Sequence, residues 1–145
     1  NWARTLLNDS KVQIKPLAGD ASFRSYLRAT SRDQSFIIMN APPEHEDVGP
    51  WIHIAKRLRN ASLNAPEIFS EDRKNGFVLM GDLGDTTYLD VLSPDNVDEL
   101  YRDAISAIFG MQQRCKADDL PAYDEARLRA EMNLFPEWFL ERHLG

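Results

Sequence analysis

Apolar and polar residues change rhythm along the chain, and each rhythm predicts an element. Val12 and Ile14 alternate with Lys11, Gln13 and Lys15, the period of two that sends successive side chains to opposite faces of a strand. The small-residue turn Leu17-Ala18-Gly19-Asp20-Ala21-Ser22 follows, and Tyr26-Leu27-Arg28-Ala29 returns as its hairpin partner. After the polar turn Thr30-Ser31-Arg32-Asp33, the run Ser35-Phe36-Ile37-Ile38-Met39 is short, apolar and partly β-branched, as suits a central buried strand. Pro42-Pro43 stops it. From Pro50 the spacing switches to three and four at Trp51, Ile54, Ala55, Leu58 and Ala61, an amphipathic helix with Lys56, Arg57 and Arg59 outward, which Pro66 ends. Glu67-Ile68-Phe69-Ser70 and Phe77-Val78-Leu79-Met80 flank a turn whose Asn75-Gly76 tolerates positive φ, so a second hairpin is expected.

Past Met80 the strand signals stop. Gly81-Asp82-Leu83-Gly84-Asp85 is a polar connector, and Ser93-Pro94 has the form of an N-cap with Pro at the first helical position. Val97, Leu100, Tyr101, Ala104, Ile108, Met111 and Cys115 then mark a long helical stripe. A second helix is expected from about Asp124, carrying Leu128, Met132, Phe135 and Trp138, with Pro136 kinking or restarting it. Residues 2 to 8 read as the end of a helix. Strands first and helices afterwards indicate α+β rather than a doubly wound parallel sheet. The organisation expected is a lobe over 1–81, a connector over 82–92 and the start of a helical lobe over 93–145.

Composition narrows the class without naming an activity. The 145 residues are 43% hydrophobic and 28% charged, as in a soluble globular protein. No stretch approaches the roughly 20 apolar residues that span a bilayer, and no signal-peptide core opens the chain, so the cytoplasm is the expected compartment. A single cysteine, Cys115, forms no intramolecular disulfide and no thiolate metal cluster. The net charge of −6 disfavours nucleic acid and anionic membranes as partners. Its distribution is uneven: residues 1 to 70 hold nine Lys or Arg against seven Asp or Glu, and the remainder eight against sixteen. A polyphosphate would prefer the first half.

The turn Gly19-Asp20-Ala21-Ser22-Phe23-Arg24-Ser25-Tyr26 joins two antiparallel strands, not a strand and a helix, which argues against a Rossmann or Walker-A loop. It is either an ordinary hairpin turn or a flap whose backbone N–H groups cover nucleotide phosphates. The order of elements around it (flap, third strand, helix, hairpin, connector) favours the flap. In that architecture the connector is the hinge whose backbone groups meet the adenine edge, and Met80, Gly81, Asp82 and Leu83 fall there; the alternative is a plain interlobe loop in which Asp82 and Asp85 are solvated.

The phrases Gly-Asp-Ala-Ser-Phe-Arg-Ser-Tyr at 19–26, Ile-Met-Asn-Ala-Pro-Pro at 38–43, Asp-Leu-Gly-Asp-Thr-Thr-Tyr-Leu-Asp-Val-Leu at 82–92 and Asn-Leu-Phe-Pro-Glu-Trp-Phe-Leu-Glu-Arg-His-Leu-Gly at 133–145 resemble a bacterial branch of the aminoglycoside-phosphotransferase-like kinases. The resemblance covers essentially the whole chain. It implies a protein-kinase-like fold: an antiparallel-sheet N-lobe with one helix, a hinge and the first helices of a helical C-lobe. It also implies ATP and Mg²⁺ as cosubstrates and phosphoryl transfer to a small-molecule sugar acceptor, the anomeric hydroxyl of N-acetylmuramate or N-acetylglucosamine in cell-wall recycling. A cationic acceptor (an aminoglycoside, a choline-like or a homoserine-like compound) and a non-catalytic nucleotide-binding module remain the alternatives. Gly19, Asp20, Ala21, Ser22, Phe23, Arg24, Met80, Asp82 and Leu83 are the nucleotide-binding candidates, and Glu131 and Trp138 the substrate-side ones.

Two features of such kinases are absent from the sequence. No His-x-Asp occurs in the helical part, 93–145, whose one histidine, His143, is followed by Leu144-Gly145, and His45-Glu46-Asp47 lies in the first lobe ahead of its helix; the His-x-Asp catalytic loop and the later metal-binding Asp are therefore expected beyond Gly145, and no catalytic or metal residue is assigned here. Alignment of reactants alone accounts for about 7–11 kcal/mol of barrier reduction, so residues 1–145 by themselves are expected to be inactive. The third strand, ending Ile38-Met39-Asn40, also lacks the phosphate-binding Lys. Arg24 and Arg28 share a strand face and are either substitute cations or exposed strand charges. Glu44, Glu46 and Asp47 either complement the dipole of the following helix or pair with such a cation. Trp51, Phe77, Leu79, Met80 and Trp138 fit core packing, and His53 and His143 a structural or solvated role.

Overall fold

A computed structural model describes residues 2–17 and 22–145. Gln13–Pro16 (β1), Ser25–Ser31 (β2), Gln34–Asn40 (β3), Ile68–Asp72 (β4) and Phe77–Gly81 (β5) form one antiparallel sheet in the order β1-β2-β3-β5-β4. The Ile37-Ile38 strand is therefore central, as its apolar run requires. Strand parity sorts the core into two layers. Tyr26, Ile37, Met39, Val78 and Met80 face Val48, Trp51 and Ile52 of the helix Val48–Asn60 (α2), while Leu27, Ala29, Phe36, Ile38 and Leu79 pack against Trp2 and Ala3 of the short helix Trp2–Leu6 (α1). We call the first the inner face.

Local chemistry fixes the joints. The carboxylate of Asp47 accepts from the Gly49 amide at 2.8 Å and caps α2, so the helix opens two residues before Pro50, which sits in the first turn where its missing N–H costs nothing. The β4–β5 hairpin turns at Gly76, with φ of +72°; its carbonyl accepts from the Ala41 amide at 2.9 Å, and an added Cβ would lie 1.8 Å from the Ala41 carbonyl oxygen.

Beyond β5 two details differ from the sequence reading. A short helix, Tyr88–Val91 (α3), is closed by a reciprocal capping box between Thr87 and Asp90, a pairing visible in the sequence only as Thr-x-x-Asp. The long helix (α4) spans Val97–Arg114 and does not begin at Ser93-Pro94. Asn96 closes a turn there instead, accepting from the Ser93 amide and donating to the Val91 carbonyl, both at 2.8 Å. Arg114 Nε donates to the Ala61 carbonyl at 2.7 Å, tying the end of α4 to the end of α2.

The chain divides into two compact units, residues 1–115 and 116–145. The second holds the helix Glu125–Leu134 (α5), capped by Asp124, and a π-helical continuation over Phe135–His143. Pro136 has no N–H to give to the Met132 carbonyl, which takes the Phe135 amide, and the winding widens from that point. No helix among the described residues is long and apolar enough to cross a membrane.

Candidate functional site

β1 and β2 pair as antiparallel neighbours on either side of the turn: the Leu17 amide donates to the Tyr26 carbonyl at 2.9 Å, and Pro16 pairs with Leu27. Gly19, Asp20 and Ala21 lie outside the described residues. On the returning arm, the Ser22 hydroxyl accepts from the Arg24 amide at 3.3 Å. Phe23 stacks on His45 with ring centroids 4.3 Å apart, and Arg24 Nε donates to Glu46 at 3.2 Å. Burial opposes the Arg24 charge, but the Glu46 carboxylate outweighs it and holds the guanidinium above its ordinary range. The loop that presents His45 and Glu46 is built on one oxygen: the Pro42 carbonyl accepts both their amides, at 2.9 and 3.0 Å. The two readings of the acids thus divide between them, Asp47 serving the helix and Glu46 the cation.

Arg24, just ahead of β2, continues the row that Tyr26 and Arg28 form on the strand's inner face. Arg28 is opposite Ile37, which is opposite Met80, so the row meets β5 where the connector leaves it. There Arg28 Nη2 donates to Asp82 Oδ1 and Nη1 to Asp85 Oδ2, each at 3.1 Å. Its Nε lies 2.7 Å from Asp82 Oδ2 in ion contact, but the N–H is not aimed at that oxygen. The Arg28 side chain is 24% exposed and that of Asp82 only 5%, whereas Asp85 stands 81% exposed. Arg28 is therefore no loose strand charge: two carboxylates tie it to the connector. Burial pushes the Asp82 carboxyl up, yet the Gly84 amide, the Arg28 guanidinium and the Ser35 hydroxyl together hold it below the usual range. The Gly84 amide donates to Asp82 at 2.9 Å, and Gly84 takes φ of +89°, a conformation glycine adopts without strain.

Met80 is in the core and Leu83 is exposed just beyond it. The Gly81 amide bonds to the Glu67 carbonyl at 2.8 Å, so the connector's backbone leaves the sheet only after that residue. The third strand brings no cation to the inner face, where Met39 is fully buried against α2. Arg24 also lines an open groove of about 430 Å³ with Asp47, Trp51, Ile54, Leu58 and Pro66; it runs along α2, and Asp82 is not in its wall.

In the second unit, Glu131 accepts from the Tyr123 hydroxyl and lies 3.9 Å from Arg127. Trp138 is not a core residue there. The residue is 56% exposed, with the Arg142 guanidinium 4.2 Å from the ring centroid. His53 Nε2 lies 2.8 Å from Arg57 and His143 stacks on Phe139, in line with structural roles. No three His, Cys, Asp or Glu side chains converge as metal ligands among the described residues.

His45 and Asp85 are the site residues that the sequence reading did not single out. Their only signal was position: one stands next to Glu46 ahead of α2, the other three residues past Asp82.

Residues 13–145 match the model of the phosphotransferase enzyme family. The chain is 48% identical to an N-acetylmuramate/N-acetylglucosamine kinase of Pseudomonas aeruginosa over 92% of its own length and 40% of the relative's. Proteins of the same name from Pseudomonas putida and Neisseria meningitidis serogroup B are 45% and 33% identical, covering 88% and 100% of this chain and 38% and 44% of theirs. The chain thus spans about two fifths of the length of these relatives.

Proposed function

Because the chain belongs to the phosphotransferase enzyme family, we propose that it is the ATP-binding portion of a kinase that phosphorylates a sugar hydroxyl, the anomeric hydroxyl of N-acetylmuramate or N-acetylglucosamine, in peptidoglycan recycling. The observation that carries this reading is the row Arg24–Tyr26–Arg28. It joins the returning arm of the flap to the connector along one face of one sheet, with Arg28 locked to Asp82 at its far end. In this arrangement the amides about Gly19, Asp20, Ala21, Ser22 and Phe23 cover the phosphates, and Arg24 supplies the positive charge. Met80, Asp82 and Leu83 border the base. The dry inner face, with Tyr26, Ile37 and Met80, forms the apolar roof that excludes water from the nucleotide.

Arg24 differs from Arg28 in what holds it. One ion pair at the surface leaves Arg24 able to exchange solvent for phosphate, whereas Arg28 is bound by two carboxylates. The divalent metal used in phosphoryl transfer supplies charge neutralisation when bound, and the described residues do not fit it. Glu131 and Trp138 lie on the acceptor side in this reading. The acceptor itself is inferred from the relatives' names.

The full-length protein should consume ATP with N-acetylmuramate and N-acetylglucosamine but not with choline or an aminoglycoside, the product being a sugar 1-phosphate identified by phosphorus NMR. Turnover confined to a cationic acceptor would refute the sugar assignment. ATP binding that is unchanged by Arg24→Met would refute the flap.

A further inference from the structure

Phe23 and Arg24 are consecutive, and so are the two residues they touch. The first pair stacks nearly parallel, at an interplanar angle of 18°, and the second is an ion pair at 3.2 Å, 22 residues apart in the chain. One contact would fix only a distance; two from adjacent residues fix the orientation of the flap's returning arm. Both partners have their amides bonded to the Pro42 carbonyl, and the next residue, Asp47, caps α2. The arm is therefore fastened to the N-terminal end of the helix that covers the inner face. Glu46 takes Arg24 at Nε, a nitrogen that an end-on, two-pronged grip on phosphate does not need.

We propose that His45 and Glu46 are positioning residues of the nucleotide site: together they hold the Phe23–Arg24 arm so that the Arg24 guanidinium is already oriented when a polyphosphate arrives. This rests on the reading of the β1–β2 turn as a phosphate flap. Glu46 serves the ligand through Arg24, and His45 serves it through Phe23. The physical gain is preorganisation, since a long side chain fixed beforehand loses less freedom on binding.

The test compares ATP with adenosine, which shares the base but has no phosphate, by calorimetric titration of the full-length protein and its variants. Glu46→Gln should weaken ATP binding about three- to fivefold, the range of a partly exposed ion pair, and leave adenosine within about twofold. His45→Ala should act in the same direction and His45→Phe, which keeps an aromatic ring for Phe23, should restore wild-type affinity. Arg24→Met, which removes the cation itself, should cost roughly tenfold or more for ATP alone. A merely structural role would weaken both ligands together, and that outcome overturns the proposal. So does tighter ATP binding in Glu46→Gln, which would make Glu46 a competitor for Arg24. If Arg24→Met lowers ATP affinity and Glu46→Gln does not, the positioning role fails while the flap stands. If neither changes it, the flap reading fails as well.

Discussion

Replacing Asp82 with Asn tests the joint between sheet and connector most directly. The substitution keeps the size of the side chain and an oxygen for the Gly84 amide but removes the charge and turns an N–H₂ toward Arg28. Losing one partner of a fully buried ion pair costs about 3–5 kcal/mol, and losing an exposed pair at most about 1 kcal/mol. Asp82 itself is 5% exposed, so its side belongs to the first case; Arg28 is 24% exposed and retains Asp85, so its charge is partly rehydrated. The expected loss is therefore intermediate, about 1–2 kcal/mol at neutral pH. Urea denaturation of the 145-residue chain, followed by tryptophan fluorescence, measures it as a lower midpoint at unchanged slope.

The pH dependence supplies a second, independent check. The Asp82 carboxyl in the folded chain is held below its ordinary value of 3.8, so the stabilisation is complete above 3.8 and is lost as pH falls through the lowered folded value. Wild type and Asp82→Asn should differ by a constant amount at higher pH and converge in that acid window. Asp9, Glu71 and Asp90 are also held low, but they are common to both chains and cancel in the difference. A difference below about 0.5 kcal/mol at neutral pH, the scale of ordinary surface substitutions, would refute the reasoning, as would one that survives acidification.

Other expectations follow from single contacts. Gly76→Ala should lower stability by about 2–4 kcal/mol in thermal or urea melts, because its Cβ meets the Ala41 carbonyl oxygen at 1.8 Å and its φ of +72° is strained for alanine. Met39→Ala should cost about 2–5 kcal/mol through the cavity left at a fully buried site, read from the same melts. Asp47→Ala should cost about 1 kcal/mol by removing the α2 cap, with a matching loss of helical ellipticity on mild heating. Residues 1–145 alone should form no ADP above a heat-killed control in the presence of either amino sugar, and any excess would overturn that expectation.

What was legible beforehand was local. The period-two alternation at Val12 and Ile14, the apolar run at Ile37, the three-four spacing from Trp51 and the Asn-Gly turn each encode one element through side chains near in sequence. The phrases at 19–26, 38–43 and 82–92 encode the family in the same way. Helix starts were less legible. Pro50 and Ser93-Pro94 each mark a start in the sequence, yet α2 opens earlier at the Asp47 cap, and the Asn96 side chain closes a turn onto Ser93 and Val91 so that α4 opens only at Val97.

The site itself was only half legible. Sequence alone determined which cations stand near the β1–β2 turn and that the third strand brings none. The tertiary structure decided what each meets: Arg24, just ahead of β2, meets Glu46, and Arg28, on β2, meets Asp82 and Asp85. The reason is geometric. Those acids lie 22, 54 and 57 residues away, and the β2–β3–β5 register together with the loops after β3 and β5 sets their distance from each guanidinium, to which the Coulomb energy is inversely proportional.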